Sequence, residues 1–187
     1  GKPFTFGCLN NPAKISSAAV ETWSTILNQR RDTRLLMLVR DDPRHADLVR
    51  DRFTQHGVTP GQLIFTTRCP EQKYLEQHHR IDLMLDPFPY NGGVTTCDCL
   101  WMGTPILTLA GDSYVSRQGA CILSSAGLSQ WVANSKEEFI RKAISAAQNP
   151  SNLAVIREKL RSILQASPLM DHAQYAHDLE TALLRVR

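Results

Sequence analysis

Residues 86–96 read Asp-Pro-Phe-Pro-Tyr-Asn-Gly-Gly-Val-Thr-Thr and hold the densest chemistry in the chain. The prolines fix the path of the backbone, while Gly92 and Gly93 let main-chain N–H groups approach a ligand closely. A helix expected over 94–102 follows directly. Its free first-turn amides and positive dipole end suit a phosphate. Thr95 and Thr96 add hydroxyl donors to that turn. Asp98 lies three residues past Thr95, on the same helix face, where a carboxylate can accept from ribose hydroxyls. The stretch is neither Gly-x-Gly-x-x-Gly nor a Walker loop, since it has no Gly-Lys-Ser/Thr. Taken alone, the Gly-Gly pair also fits a tight turn and Asp98 a first-turn acid that complements the helix dipole.

The elements around this stretch alternate strand and helix, the pattern of an α/β domain with a mostly parallel sheet. Strands are expected over 4–9, 35–39, 63–66, 81–85, 105–109 and near 131–132. Helices are expected over 16–28, from 43 to about 56, 70–78, 94–102, 115–126, 136–148, 151–165 and 171–185. No internal repeat, low-complexity segment or long linker interrupts them, so residues 1–187 read as one Rossmann-like domain with the helices of 136–187 packed on it. In such sheets ligands bind beyond the carboxyl ends of the strands. Loops 9–14, 67–74 and 86–96 are therefore the ones that matter, and they bring in Lys14, Cys69 and Tyr74.

Composition bounds the rest. The 187 residues are 42% hydrophobic and 21% charged, as in ordinary soluble domains. Net charge is +3 and the basic residues are scattered, which argues against nucleic acid. No apolar run is long enough to span a membrane, and the strand-like start has no signal-peptide pattern, so a cytoplasmic setting is expected. Five cysteines at irregular spacing do not make a disulfide framework, and most read as buried small hydrophobes. Neither His-Glu-x-x-His nor Asp-x-Asp occurs, so no metal and no cofactor is expected. Trp23, Trp101 and Trp131 read as core residues. Arg117 reads equally as support for a phosphate site or as half of an ion pair.

Residues 86–101, with Gly103-Thr104-Pro105 and Gly111 behind them, resemble the C-terminal lobe of the O-GlcNAc transferase family, including its bacterial members. Ser116-Arg117, Ser167-Pro168-Leu169 through Tyr175, and residues 6–15 fit the same family. The resemblance covers essentially the whole chain and is most specific in the loop. It implies one lobe of a two-lobe GT-B glycosyltransferase, with UDP or UDP-GlcNAc held at the cleft between lobes. Lys14 matches the lysine that contacts the diphosphate, where it would neutralise the departing UDP and serve as the catalytic residue. Thr95 and the backbone of Gly92, Gly93 and Val94 match the diphosphate cradle, with Asn91 beside them in the donor site and Thr96 as a substitute donor. Asp98 matches the ribose-binding acid. Tyr90 falls beside the donor's N-acetyl group, Cys69 at a backbone contact to uracil, and Tyr74 where a histidine stacks on the base.

Two departures stand out. The family's His-Thr-Thr is Gly93-Val94-Thr95 here, and a base-contacting lysine is Glu71. The resemblance implies an inverting transfer of GlcNAc, or a related sugar, from UDP to protein Ser/Thr hydroxyls. The acceptor side would come from an N-terminal lobe and helical repeats outside these residues, leaving this piece inactive alone. The alternative is a catalytically silent nucleotide-binding or protein-interaction module derived from the family, which the two departures favour and the retained Lys14, Thr95 and Asp98 oppose. A nucleotide-sugar epimerase on the same fold would need further acid/base groups that the sequence does not offer.

Overall fold

The computed structural model describes residues 2–186. Six parallel strands form one sheet in the order β3-β2-β1-β4-β5-β6. They are β1 (Thr5–Cys8), β2 (Arg34–Leu38), β3 (Leu63–Thr66), β4 (Leu83–Leu85), β5 (Ile106–Leu109) and β6 (Val132–Ala133). The central strands β1 and β4 are buried along their whole length, as apolar strands covered on both faces must be. Phe6 sets the register on both sides, opposite Leu35 of β2 and Leu83 of β4.

Strand order reverses between β1 and β4. One half of the sheet grows outward through β2 and β3, the other through β5 and β6. The crevice above that reversal is where an open α/β sheet binds its ligand. The loops that leave β1 and β4 carry Lys14 and the Gly-Gly turn, so topology brings two distant stretches of sequence together.

Helices cover both faces. On one face, Trp23 of α1 (Ser17–Gln29), Phe53 of α2 (Pro43–Thr54) and Phe139 of α6 (Lys136–Gln148) pack on Phe6, Leu35, Met37 and Leu83. On the other, Leu100 of α4 (Val94–Trp101), Leu123 of α5 (Gln118–Ser125) and Leu160 of α7 (Pro150–Gln165) pack on Leu36, Met84 and Ile106. Strand neighbours such as Leu35 and Leu36 feed opposite cores because successive side chains alternate across a sheet. Caps fix the helix starts: the side chains of Ser16, Asp42 and Ser135 accept from the amides of Ala19, Arg44 and Glu138.

Three expectations need correction. The helix expected over 115–126 is a 3-10 turn, Tyr114–Ser116, followed by α5. Ser116 Oγ takes the Ser113 amide at 3.0 Å, and such local side-chain bonds compete with the helix ladder. Trp101 is 38% exposed rather than core, with the Arg161 guanidinium 5.0 Å over its ring. Helices α6 and α7 do pack on the domain, but α8 (His172–Leu184) has no buried residue and leaves Tyr175, Leu179 and Leu183 exposed. Of the thiols, only Cys8 and Cys99 are buried.

Candidate functional site

The site is built from the loop after β1 and the loop after β4. In the first, Asn11 accepts the Ala13 amide at 3.0 Å and shapes a 3-10 turn over Pro12–Lys14. That turn aims Lys14 at the second loop, where Nζ donates to the Asn91 carbonyl at 2.8 Å and lies 4.2 Å over the Tyr90 ring. Burial pulls the Lys14 ammonium below its ordinary value, while the negative charge of Asp86 opposes that pull. The lysine is thus half-buried, oriented, and held beside the Gly-Gly turn.

Asn91 is fully buried and ties the loop down in two directions. Its side-chain amide donates to the Pro87 carbonyl at 3.0 Å, and its backbone N–H donates to Val115 at 2.9 Å. Gly92 donates its N–H to Asp86 Oδ1 at 2.7 Å. A side chain at Gly92 would not fit: a Cβ there would stand 2.6 Å from Thr96 Oγ1 and 3.0 Å from Asp86 Oδ1. Gly93 is the N-cap of α4, and no side chain caps that helix end. The first-turn amides of Val94 and Thr95 therefore sit where an anion can meet them. Val94 itself is 79% exposed.

From this turn a cavity of about 650 Å³ runs across the carboxyl ends of β1, β2 and β3. Thr95 lines the end nearest the turn, while Cys69, Glu71 and Tyr74 line the far wall with Arg40 and Arg68. Tyr74 belongs to α3 (Glu71–Gln77), and its hydroxyl donates to Asp98 Oδ2 at 2.9 Å. Burial and the neighbouring carboxylate push the Tyr74 phenol well above its ordinary value, so it stays a neutral donor. The structure thus brings Cys69, Tyr74 and Thr95 to one cavity, with Asp98 joined to its wall through Tyr74. Lys14 meets Tyr90 and Asn91 at the Gly-Gly turn, and these residues, with Gly92 and Gly93, do not line the cavity. Thr96 turns inward instead: it is fully buried and its hydroxyl has no hydrogen-bond partner. Its expected part as a substitute phosphate donor does not match that placement.

The Arg117 guanidinium donates to the Gly111 carbonyl at 3.2 Å rather than to a carboxylate. Asp86 is the residue that sequence reasoning missed. It closes β4 and is fully buried; besides Gly92 it accepts from Thr108 Oγ1 at 2.7 Å. A carboxylate at the end of an otherwise apolar central strand was the available signal. Among the described residues, no group of three or more His, Cys, Asp or Glu is placed to hold a metal ion. Among the described residues, no helix is long and apolar enough to cross a membrane.

Comparison with known proteins finds relatives of the same fold. Residues 3–179 match glycosyl transferase family 41. The chain is 32% identical over 182 residues to a tomato (Solanum lycopersicum) protein described as probable UDP-N-acetylglucosamine--peptide N-acetylglucosaminyltransferase SPINDLY; the match covers 95% of this chain and 19% of that one. The chain therefore spans about a fifth of the length of that curated relative. The structure of a K341M mutant of Thermobaculum terrenum O-GlcNAc transferase is 29% identical, with a TM-score of 0.92 over 99% of this chain and 36% of that one. Anabaena HepE in complex with UDP shares the fold, at 12% identity and a TM-score of 0.67 over 96% of this chain and 49% of that one.

Proposed function

Because the chain belongs to glycosyl transferase family 41, we propose that it is the nucleotide-sugar-binding lobe of a two-lobe, inverting glycosyltransferase. The donor is UDP-GlcNAc or a related UDP-sugar, and the acceptor is a protein Ser or Thr hydroxyl. The observation that carries this reading is the meeting of Lys14 and the Asn91–Gly93 backbone with the uncapped start of α4, whose Thr95 lines the cavity. Cation, free amides and hydroxyl converge there on the space a diphosphate would fill.

Each residue then has a task. Lys14 and the amides of Val94 and Thr95 gather the negative charge that develops on the diphosphate as the sugar leaves. Asp98 accepts from the ribose, with Tyr74 fixing its carboxylate. The base lies against Tyr74 and the backbone at Cys69, and Tyr90 flanks the sugar. The acceptor must be held in line with the anomeric carbon, which requires a second lobe facing this one. That lobe and its general base lie outside these residues in our reading, so the 187 residues bind donor without turning it over.

A calorimetric titration of the 187-residue chain with UDP, UDP-GlcNAc and other nucleoside diphosphates tests the proposal. Saturable binding that prefers the uridine nucleotides, and that persists in a strong chelator, is the expected result. Absence of saturable binding to any of them would overturn it. Binding lost with chelator and restored by a divalent cation would overturn the assignment of charge neutralisation to Lys14 and the α4 amides.

A further inference from the structure

The buried carboxylate of Asp86 stands directly behind the donor turn, and nothing in the reading above uses it. Its two oxygens are engaged separately, one by the Gly92 amide and the other by the Thr108 hydroxyl, both at 2.7 Å. Gly119 of α5 keeps this pair closed off from solvent without displacing it. A Cβ there would stand 2.5 Å from Asp86 Oδ2 and 2.3 Å from Thr108 Oγ1. One carboxylate thereby fixes the middle of the turn, with the Lys14 contact at Asn91 on one side and the α4 N-cap, Gly93, on the other.

The charges facing Asp86 are few. From the loop after β1 comes Lys14, among the described residues the one charged group that acts on it. β1 contributes Cys8 and α4 contributes Cys99, both thiols held neutral by burial, which pushes Cys8 up to about 12. β5 and α5 contribute Thr108 and Gly119, which carry no charge. Among the described residues, Lys14 is therefore the cation that compensates a fully buried carboxylate, and it is the same cation the diphosphate would recruit.

We propose that Asp86 is a positioning residue that takes up one proton from solvent when the donor diphosphate binds at Lys14 and the Gly92–Thr95 turn, and gives it back when the nucleotide leaves. The proposal rests on the donor-site reading above. Once Lys14 serves the diphosphate, Asp86 loses its compensation and gains an anion nearby. A buried, uncompensated carboxylate is strongly disfavoured, and protonation is the cheapest relief. The surroundings suit both forms. As an acid, Asp86 donates to Thr108 Oγ1, whose hydroxyl rotates to accept, while the other oxygen still accepts from Gly92. The turn keeps its shape and sheds a charge. Burial already lifts the Asp86 carboxyl to about 7, so a modest electrostatic push carries it across neutrality. Only a proton moves, from solvent or buffer to a carboxylate oxygen.

The test is the titration of the 187-residue chain with UDP-GlcNAc at pH 8 in two buffers of contrasting ionisation enthalpy. The sugar diphosphate has no group that titrates near neutrality, so proton uptake reports on the protein. Uptake of roughly half to one proton per bound ligand is expected, from a free-state value near neutrality raised on binding. In Asp86→Asn the linkage per bound ligand should fall to near zero. Infrared difference spectra of the wild-type chain should show the carbonyl band of a protonated carboxylic acid appearing on binding, which keeps the question decidable if the variant does not fold. Saturable binding with no uptake and no such band overturns the proposal alone, as does unchanged uptake in Asp86→Asn. Absence of saturable binding overturns the donor-site reading and this proposal with it.

Discussion

Lys14 Nζ donates to the backbone carbonyl of Asn91 at 2.8 Å, across a sequence separation of 77 residues. The bond joins the loop after β1 to the loop after β4, the two central strands on either side of the reversal in strand order. It also holds Lys14 beside the Gly-Gly turn. The ammonium thereby lies next to the turn it is proposed to serve.

Removing that ammonium should therefore affect donor binding more than folding. Lys14→Ala is expected to weaken UDP binding by about 1.5–3 kcal/mol, the range for hydrogen bonds to charged groups. Calorimetry on the variant checks it. Unchanged affinity in a folded variant would take Lys14 out of the site.

Tyr74 offers a separation of ring from hydroxyl. Tyr74→Phe keeps the ring but leaves half-buried Asp98 without its 2.9 Å donor. We expect a stability loss of about 1–2 kcal/mol from the unpaired acceptor, read by chemical denaturation. Tyr74→Ala should weaken uridine nucleotides further than Tyr74→Phe by roughly 1–3 kcal/mol, the worth of base–aromatic stacking. Equal affinities for the two variants would exclude the ring from base binding.

Asp86 sets a pH dependence of stability in the ligand-free chain. Its folded value is raised, from 3.8 to about 7, so the native state holds a proton that the unfolded chain has released. The stability linked to this group is fully present below the unfolded value and is lost as pH rises through about 7. Denaturation midpoints should fall between pH 4 and 8, by an amount on the order of a few kcal/mol at most. Asp86→Asn, which keeps the shape and never ionises, should flatten the decline. An identical slope in that variant would show that other groups cause it.

Two glycines make a matched pair. Gly119→Ala adds a methyl where Thr108 Oγ1 stands 2.3 Å away, and despite alanine's better helix propensity it should cost about 1–3 kcal/mol by overpacking. At Gly61 a Cβ would meet nothing within 4 Å. Gly61→Ala should be neutral or gain about 0.4–1 kcal/mol by restricting the unfolded chain. Thermal melts of both variants decide it, and a stable Gly119→Ala protein would mean that the Asp86–Thr108 pair has room to move.

Much of this was legible before any coordinates. Apolar runs such as Leu35-Leu36-Met37 and caps such as Ser16 and Asp42 announce strands and helix starts locally, so alternation and element order follow from sequence. The position of Lys14 beside the Gly-Gly turn follows from the order of strands, and the resemblance to a known family pointed to it. What stayed hidden depended on partners far apart in sequence. Asp86 looks like the last residue of a strand until Thr108 and Gly92 close on it, and Thr96 looks like a donor in the first turn of a helix until its neighbours bury it. Local competition also misled: the Ser113–Ser116 bond pre-empts a helix turn that apolar spacing alone would extend through.

The strand order has a consequence for how the chain is made. β1 finds β2 within the first 38 residues, but its other edge waits for β4 at Leu83–Leu85. While the ribosome works through the intervening stretch, a strand that ends up buried along its whole length carries an open row of amides and carbonyls, the kind of template on which nascent chains aggregate. The donor site lies at that same late seam. A nascent chain halted before β4 would thus be sticky and unable to hold nucleotide, and both conditions would end in the same pairing step.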